Sequence, residues 1–139
     1  MAVANSSLRF GVDSGAAVTI MRKTECVDYP VDGSGSPVHY TCADGGRISD
    51  MGQRTLAIQT DEGVRLMRTR DGDISKNLLS VSSLVDTGHR VVFDADGSYA
   101  EHKTSGRRIS FARRNGIYEL DLTVLPFSQS PRAVEHPPV

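Results

Sequence analysis

The chain has 139 residues, with 16 Lys and Arg against 17 Asp and Glu; a formal net charge of −1 excludes a global electrostatic pull towards nucleic acid or an anionic membrane surface. At 38% hydrophobic residues, with no Trp, four Phe and four Tyr, it is long enough for one domain with a modest core of Val, Ile and Leu and too short for two large ones. Such a core leaves stability marginal unless subunits associate, and no stretch approaches the ~18 consecutive apolar residues that a membrane span requires.

Short apolar alternations broken by dense Gly and Asp-Gly punctuation predict many strands and few helices, so the expected class is all-β. The run Leu8-Arg9-Phe10-Gly11-Val12 predicts a strand that breaks sharply at Asp13-Ser14-Gly15-Ala16 and presents a carboxylate. Gly15 permits the turn, while small Ser14 and Ala16 let a second backbone approach closely. Asp, Ser and Gly are also the commonest surface-turn formers. Apolar flanks on both sides, and a second apolar run at Leu78-Leu79-Ser80-Val81, favour a carboxylate site over a plain turn.

A strand is expected to continue over 18–21, followed by a Pro/Gly/Ser loop over 29–37 and a strand over 38–41. Asp44-Gly45-Gly46 predicts a hairpin turn with 47–50 as its return strand, and 55–60 with 64–69 form a second hairpin about Asp61-Glu62-Gly63. Asn77 to Leu79 is expected as a buried strand and 80–86 as the one short helix, stopped by Gly88. Strands over 90–93, 99–102, 107–111 and 117–122 follow, turning at Asp96-Gly97, Ser105-Gly106 and Asn115-Gly116. From Pro126 the proline-rich, apolar-poor composition predicts a disordered tail or linker over 126–139.

Three segments occur in an order that resembles one family. Asp13-Ser14-Gly15-Ala16 matches Asp-Thr/Ser-Gly-Ala, Asn77-Leu78-Leu79-Ser80-Val81-Ser82-Ser83-Leu84 looks like Asn-Leu-Leu-Ser-Val-Ser-x-Leu, and Asn115-Gly116-Ile117-Tyr118-Glu119-Leu120 looks like Asn-Gly-x-Tyr-x-Leu. Together they resemble the retropepsins, the aspartic proteases of retroviruses and long-terminal-repeat retrotransposons, most closely the copia-type members. The resemblance covers most of the chain and implies a closed β-barrel acid-protease domain over 1–125 with one short helix and a C-terminal β-hairpin extension over about 89–125.

It also implies roles. Asp13 is the catalytic carboxylate, Ser14 bonds across a subunit interface, and Gly15 and Ala16 line the substrate cleft. Asp44, Gly45 and Gly46 form the flap that closes over an extended peptide, and Leu78, Leu79 and Ser80 support the catalytic loop. Against the retroviral pattern, Ser80 stands where Gly is usual, Val81 where Arg is usual and Ala17 where an acid is common. That acid and that Arg form a buried pair near the retroviral dimer interface, and losing both avoids an uncompensated charge. Any dimer is therefore held differently, with the strands after Gly88 as candidates.

Aspartic-protease chemistry requires two adjacent carboxylates sharing one proton. Asp86, Asp94 and Asp96 lack the Ser/Thr-Gly-Ala context, so Asp13 is expected to meet its own copy across a two-fold axis. The four His are scattered and Cys26 with Cys42 lacks metal-ligand spacing, so neither metal nor cofactor is expected. Two cysteines without a leader peptide are expected to be free thiols of a reducing, cytoplasmic compartment, which includes the interior of retroelement particles. Arg107, Arg108, Arg113 and Arg114 form a basic cluster better explained as a solvated strand face than as a nucleic-acid contact. Asp94-Ala95-Asp96-Gly97 lacks the further acidic ligands of a calcium loop. The leading expectation is a homodimeric endopeptidase that processes a retrotransposon polyprotein at extended, largely apolar segments. The alternatives are a catalytically silent or domesticated domain that dimerises or binds peptide by strand addition, and an inert spacer preceding an integrase.

Overall fold

The computed structural model describes residues 4–31, 39–41, 47–61 and 63–131, with strand backbone alone at 39–41 and 47–51. Among these residues there are ten strands: β1 (Ser6–Asp13), β2 (Ile20–Arg22), β3 (His39–Thr41), β4 (Arg47–Thr60), β5 (Gly63–Gly72), β6 (Asn77–Ser80), β7 (His89–Val92), β8 (Ser98–His102), β9 (Arg108–Arg114) and β10 (Ile117–Val124). One α-helix, α1 (Val81–Asp86), follows β6 directly.

Period-two alternation determines which faces turn inward. In β1, Leu8 and Phe10 are buried while Ser7 and Arg9 face out; in β10, Leu120, Leu122 and Val124 are buried while Asp121 and Thr123 face out. These two strands pair antiparallel from Ser6↔Val124 to Gly11↔Glu119, so their apolar faces coincide. Strands β4, β5, β2, β6, β1 and β10 are neighbours in that order, and β10 returns to β4 through Thr123↔Gln59 and Val124↔Ile58. A six-stranded barrel is thereby closed around Phe10, Met21, Leu56, Leu79 and Val124. β3 pairs with one end of β4, and β9, β8 and β7 extend the sheet beyond β10. Among the described residues no helix is long and apolar enough to cross a membrane.

Several expected boundaries move. The strand expected over 18–21 is β2, Ile20–Arg22, because the chain from Ser14 to Thr19 is a loop. The strands expected over 47–50 and 55–60 are a single 14-residue strand, β4, in which the register with β5 shifts between Asp50 and Gln53. Gly52, at φ 123, accommodates that irregularity. The segment after the helix is more than an appended extension, because its last strand, β10, is a barrel stave between β1 and β4.

The tail expected from Pro126 is also corrected in part. Pro126 and Ser130 are buried, Phe127–Gln129 forms a 3-10 turn, and the Phe127 ring meets Tyr29 edge-on at 5.4 Å. Asp28 accepts a hydrogen bond from the Phe127 N–H at 2.8 Å, and the Tyr29 hydroxyl donates to Leu125 O at 2.6 Å. Residues 132–139 lie outside the described part.

In the cluster expected to be a solvated basic strand face, Arg107, Arg108 and Arg113 are exposed, and Arg108 and Arg114 pair with acids. Glu101 receives both Arg90 and Arg108, and Asp121 receives both Arg9 and Arg114, which also reaches Glu119. These exposed pairs individually contribute little to stability. They do neutralise much of the local positive charge.

Candidate active site

Asp13 is the last residue of β1 and is half-buried, with exposed Ser14 and Gly15 following it. The chain turns there: the Gly15 N–H donates to Asp13 Oδ1 at 2.7 Å and the Ala16 N–H to Asp13 O at 3.4 Å. A Cβ added at Gly15 would sit 3.2 Å from Asp13 Oδ1, a tight contact that the carboxylate would have to relieve by shifting a few tenths of an ångström. One Asp13 oxygen is thus oriented by a main-chain donor, and the carboxylate is held at a strand end instead of swinging on a flexible loop.

The second motif braces this turn. β6 lies parallel to β1 with Phe10↔Asn77, Gly11↔Leu78, Val12↔Leu79 and Asp13↔Ser80 in register. Asn77, buried, donates to Arg9 O and accepts from the Arg22 N–H, which ties β6 to both neighbours. Leu79 is 2% exposed and belongs to the core, whereas Leu78 is half-buried opposite Ile20. Ser80 is fully buried. Its hydroxyl donates to Ala16 O at 2.7 Å and accepts from the Ser83 N–H at 3.0 Å, while its N–H donates to Thr19 Oγ1 at 3.0 Å. One side chain therefore caps α1 and fastens the Asp13 loop at the same time. A glycine here would supply neither bond.

Replacing Ser80 by Ala removes an N-cap and leaves Ala16 O without its partner; the expected loss is about 2 kcal/mol, read as a lower urea midpoint at unchanged slope. Ala17 is exposed and Val81 half-buried.

The expected flap residues Asp44, Gly45 and Gly46 lie outside the described residues. On either side, β3 and β4 pair antiparallel with Thr41↔Arg47 as the innermost register pair. Asp86 ends α1, and Asp94 and Asp96 occupy a hairpin turn in which Asp94 Oδ1 accepts from the Asp96 N–H. Among the described residues none of them makes a hydrogen bond to Asp13. Among the described residues no three of His, Cys, Asp and Glu converge as metal ligands.

Two polar clusters had no signature in the sequence. Arg54 and Asp71, 5% and 2% exposed, form a buried ion pair at 2.9 Å between β4 and β5. The Arg54 guanidinium also donates to the carbonyls of Lys23, Glu25 and Cys26, so one buried cation organises the loop after β2. In that loop Cys26 adopts φ 49 and is buried; burial first, with Asp28 and Glu25 adding to it, pushes its thiol to about 11. It is therefore a packed thiol and an unreactive one. Cys42 lies outside the described residues.

The second cluster surrounds His89. Its Nε2 meets Arg65 at 3.2 Å and its Nδ1 meets Leu84 O at 3.1 Å. A guanidinium can only donate and a carbonyl can only accept, so the fitting form is the neutral ring protonated at Nδ1. Burial, with Arg65 and His102 beside it, holds its pKa below the ordinary 6.5 despite the bond to Leu84 O. Because the folded value is depressed, the unfolded chain binds more protons as pH falls, and the stability due to the neutral ring is present above pH 6.5 and lost as pH drops through the folded value. The urea midpoint is expected to fall on moving just below that point, and less so in His89→Gln. Glu101 and Asp121, whose folded pKa values lie below 4.5 and 3.8, weaken the fold only at lower pH.

No protein-family model matches the chain, and no curated protein matches it.

Proposed function

We propose that the chain is a retropepsin-like aspartic endopeptidase of a copia-type retrotransposon polyprotein, active as a homodimer with one Asp13 from each subunit. The observation that carries this reading is the Asp13 turn: a half-buried carboxylate at a strand end, oriented by the Gly15 N–H and fastened from behind by buried Ser80. In the dimer the two Asp13 carboxylates share one proton, since like charges in contact cannot both ionise. The ionised one takes a proton from water as that water attacks the scissile carbonyl, and the protonated one donates to the carbonyl oxygen. Collapse of the tetrahedral diol expels the amine, which leaves with a proton returned by the dyad.

Both edges of β1 are taken inside the chain, by β10 and by β6. The two-fold contact therefore falls on the exposed Ser14-Gly15 end and on α1, where Val85 is 52% exposed. Substrate lies across that end as an extended strand. The test is cleavage of a polyprotein precursor by the purified chain at varied enzyme concentration. Specific activity should rise with concentration near the dimer dissociation constant and change little with salt, because no charged pair occupies positions 17 and 81. Efficient cleavage by a chain that sediments as a monomer at high concentration overturns the reading; an inactive stable dimer identifies the silent domain instead.

A further inference from the structure

β5 is paired along its full length on one side only. Its ladder with β4 runs from Thr60↔Gly63 to Gln53↔Arg70 and on to Asp50↔Gly72, whereas β2 covers the other side only at Arg70–Gly72. The Arg70 N–H donates to Thr19 O on that second side at 2.9 Å, so the main-chain groups of Arg68 and Leu66, two and four residues earlier, face the same way. Ala57, opposite Leu66 on β4, agrees in phase: its N–H meets the Tyr29 hydroxyl and its carbonyl accepts from Leu125, both away from β5. Among the described residues no strand takes up this edge.

The open edge borders a cavity of about 570 Å³. Six consecutive residues, Arg65 to Arg70, line it, as when a strand's backbone edge and not one face forms the wall. The floor is apolar: Ile58, Leu79, Ala100, Ile109, Phe111 and Leu120. Leu84 and His89 stand opposite, linked to β5 through the bond between His89 and Arg65. Along the rim Leu66 is 48% exposed and Arg68 is exposed, while Arg65 is shared with an adjoining hollow that contains Asp61, Arg107 and the Glu101-paired Arg108. Asp13, Ser14, Gly15 and Ala16 take no part in the lining.

The geometry points to a docking site for an extended peptide strand that pairs with the free edge of β5, apolar at the alternate positions that face the cavity and bearing a carboxylate beside Arg68. Leu66 and Arg68 provide two N–H donors and two carbonyl acceptors in strand register, which an extended main chain satisfies and a compact ligand does not. Side chains of an added strand alternate between the apolar floor and the rim, and exposed Arg68 selects an acid beside it. The site is independent of Asp13, so it holds whatever the fate of the peptidase reading.

The experiment uses the full chain with Asp13→Asn, so that cleavage plays no part, and measures fluorescence anisotropy of a labelled acetyl-Thr-Val-Glu-Val-Thr-Val-Thr-amide. Saturable binding is expected, with slowed hydrogen exchange at the Leu66 and Arg68 amides. Leu66→Pro deletes an outward-facing edge donor, a place where strands tolerate proline, and should weaken binding about tenfold or more with the fold retained. Arg68→Glu should weaken it and should prefer the peptide carrying Lys in place of Glu, a charge reversal that keeps the question answerable if the proline variant does not fold. No saturable binding, or binding indifferent to both variants, overturns the proposal. A decanoate probe that competes fully and binds Leu66→Pro unchanged would make this a small-amphiphile cavity; self-association lost in Leu66→Pro would make the occupant a second copy of the chain. Either result overturns the peptide assignment.

Discussion

Asp13→Asn is expected to reduce peptide cleavage by about three orders of magnitude or more, the scale set by removing a group that acts as both general base and general acid. The fold should survive. Asn presents a side-chain oxygen where Asp13 Oδ1 accepts the Gly15 N–H, and the bonds from Ser80 to the loop use the backbone of Ala16 and the side chain of Thr19. Thermal and urea midpoints should therefore stay close to the parent while activity vanishes. A stricter form uses two copies joined in tandem. One Asp13→Asn half should be enough to abolish turnover, because the remaining carboxylate has no partner with which to share the proton. Turnover at half the parent rate in that tandem would mean that each Asp13 acts alone, and the dyad would have to be abandoned. Full activity in the double variant would place the chemistry elsewhere.

Local chemistry made part of this molecule legible. The Asp13 turn announces itself because a Gly between small residues interrupts an apolar run on both sides, and the turn places Gly15 against the carboxylate for the reason such a sequence suggests. The helix is bounded by Ser80, whose side chain caps it, and by Gly88 at φ 86 just beyond its end. Hairpins at Asn115-Gly116 and Asp96-Gly97 follow from turn residues that accept positive φ; Asn115, at φ 52, is a case where Asn does so itself. The closed barrel was expected from the resemblance and is found, but local chemistry alone does not show it or the pairing of β1 on both edges. Nothing local in Ile117–Val124 says that it pairs with Ser6–Asp13 and then with β4, since sequence-distant pairing leaves no mark beyond alternation that any strand shows. Two strands were expected where β4 runs unbroken, and in the sheet Gly52 serves an irregularity inside that one strand. Pro126 and its polar neighbours look like linker, yet Tyr29 and Asp28, far away in the chain, give that segment something to pack against.

Arg54→Met is expected to destabilise the protein by about 3–5 kcal/mol, a large share of the stability of a domain this size. Arg54 occupies an inward position of β4 where a charged residue is ordinarily excluded, which is why the sequence offers no hint of its role. The structure explains its presence. The guanidinium pairs with buried Asp71 across the β4–β5 ladder and donates to the carbonyls of Lys23, Glu25 and Cys26, the last of which also accepts from the Tyr29 N–H. Removing it leaves a buried carboxylate without its cation and loosens the loop that carries Cys26 and leads to Tyr29. Two further readouts separate this account from simple loss of packing. The Cys26 thiol, protected in the parent by burial, should become accessible to alkylation in Arg54→Met well below the denaturation midpoint. The double variant Arg54→Met with Asp71→Leu should recover a substantial part of the loss, because it deletes the stranded charge; what it fails to recover measures the three carbonyl bonds. If Arg54→Met alone unfolds no more readily than the parent, the buried pair does not hold β4, β5 and the loop after β2 together.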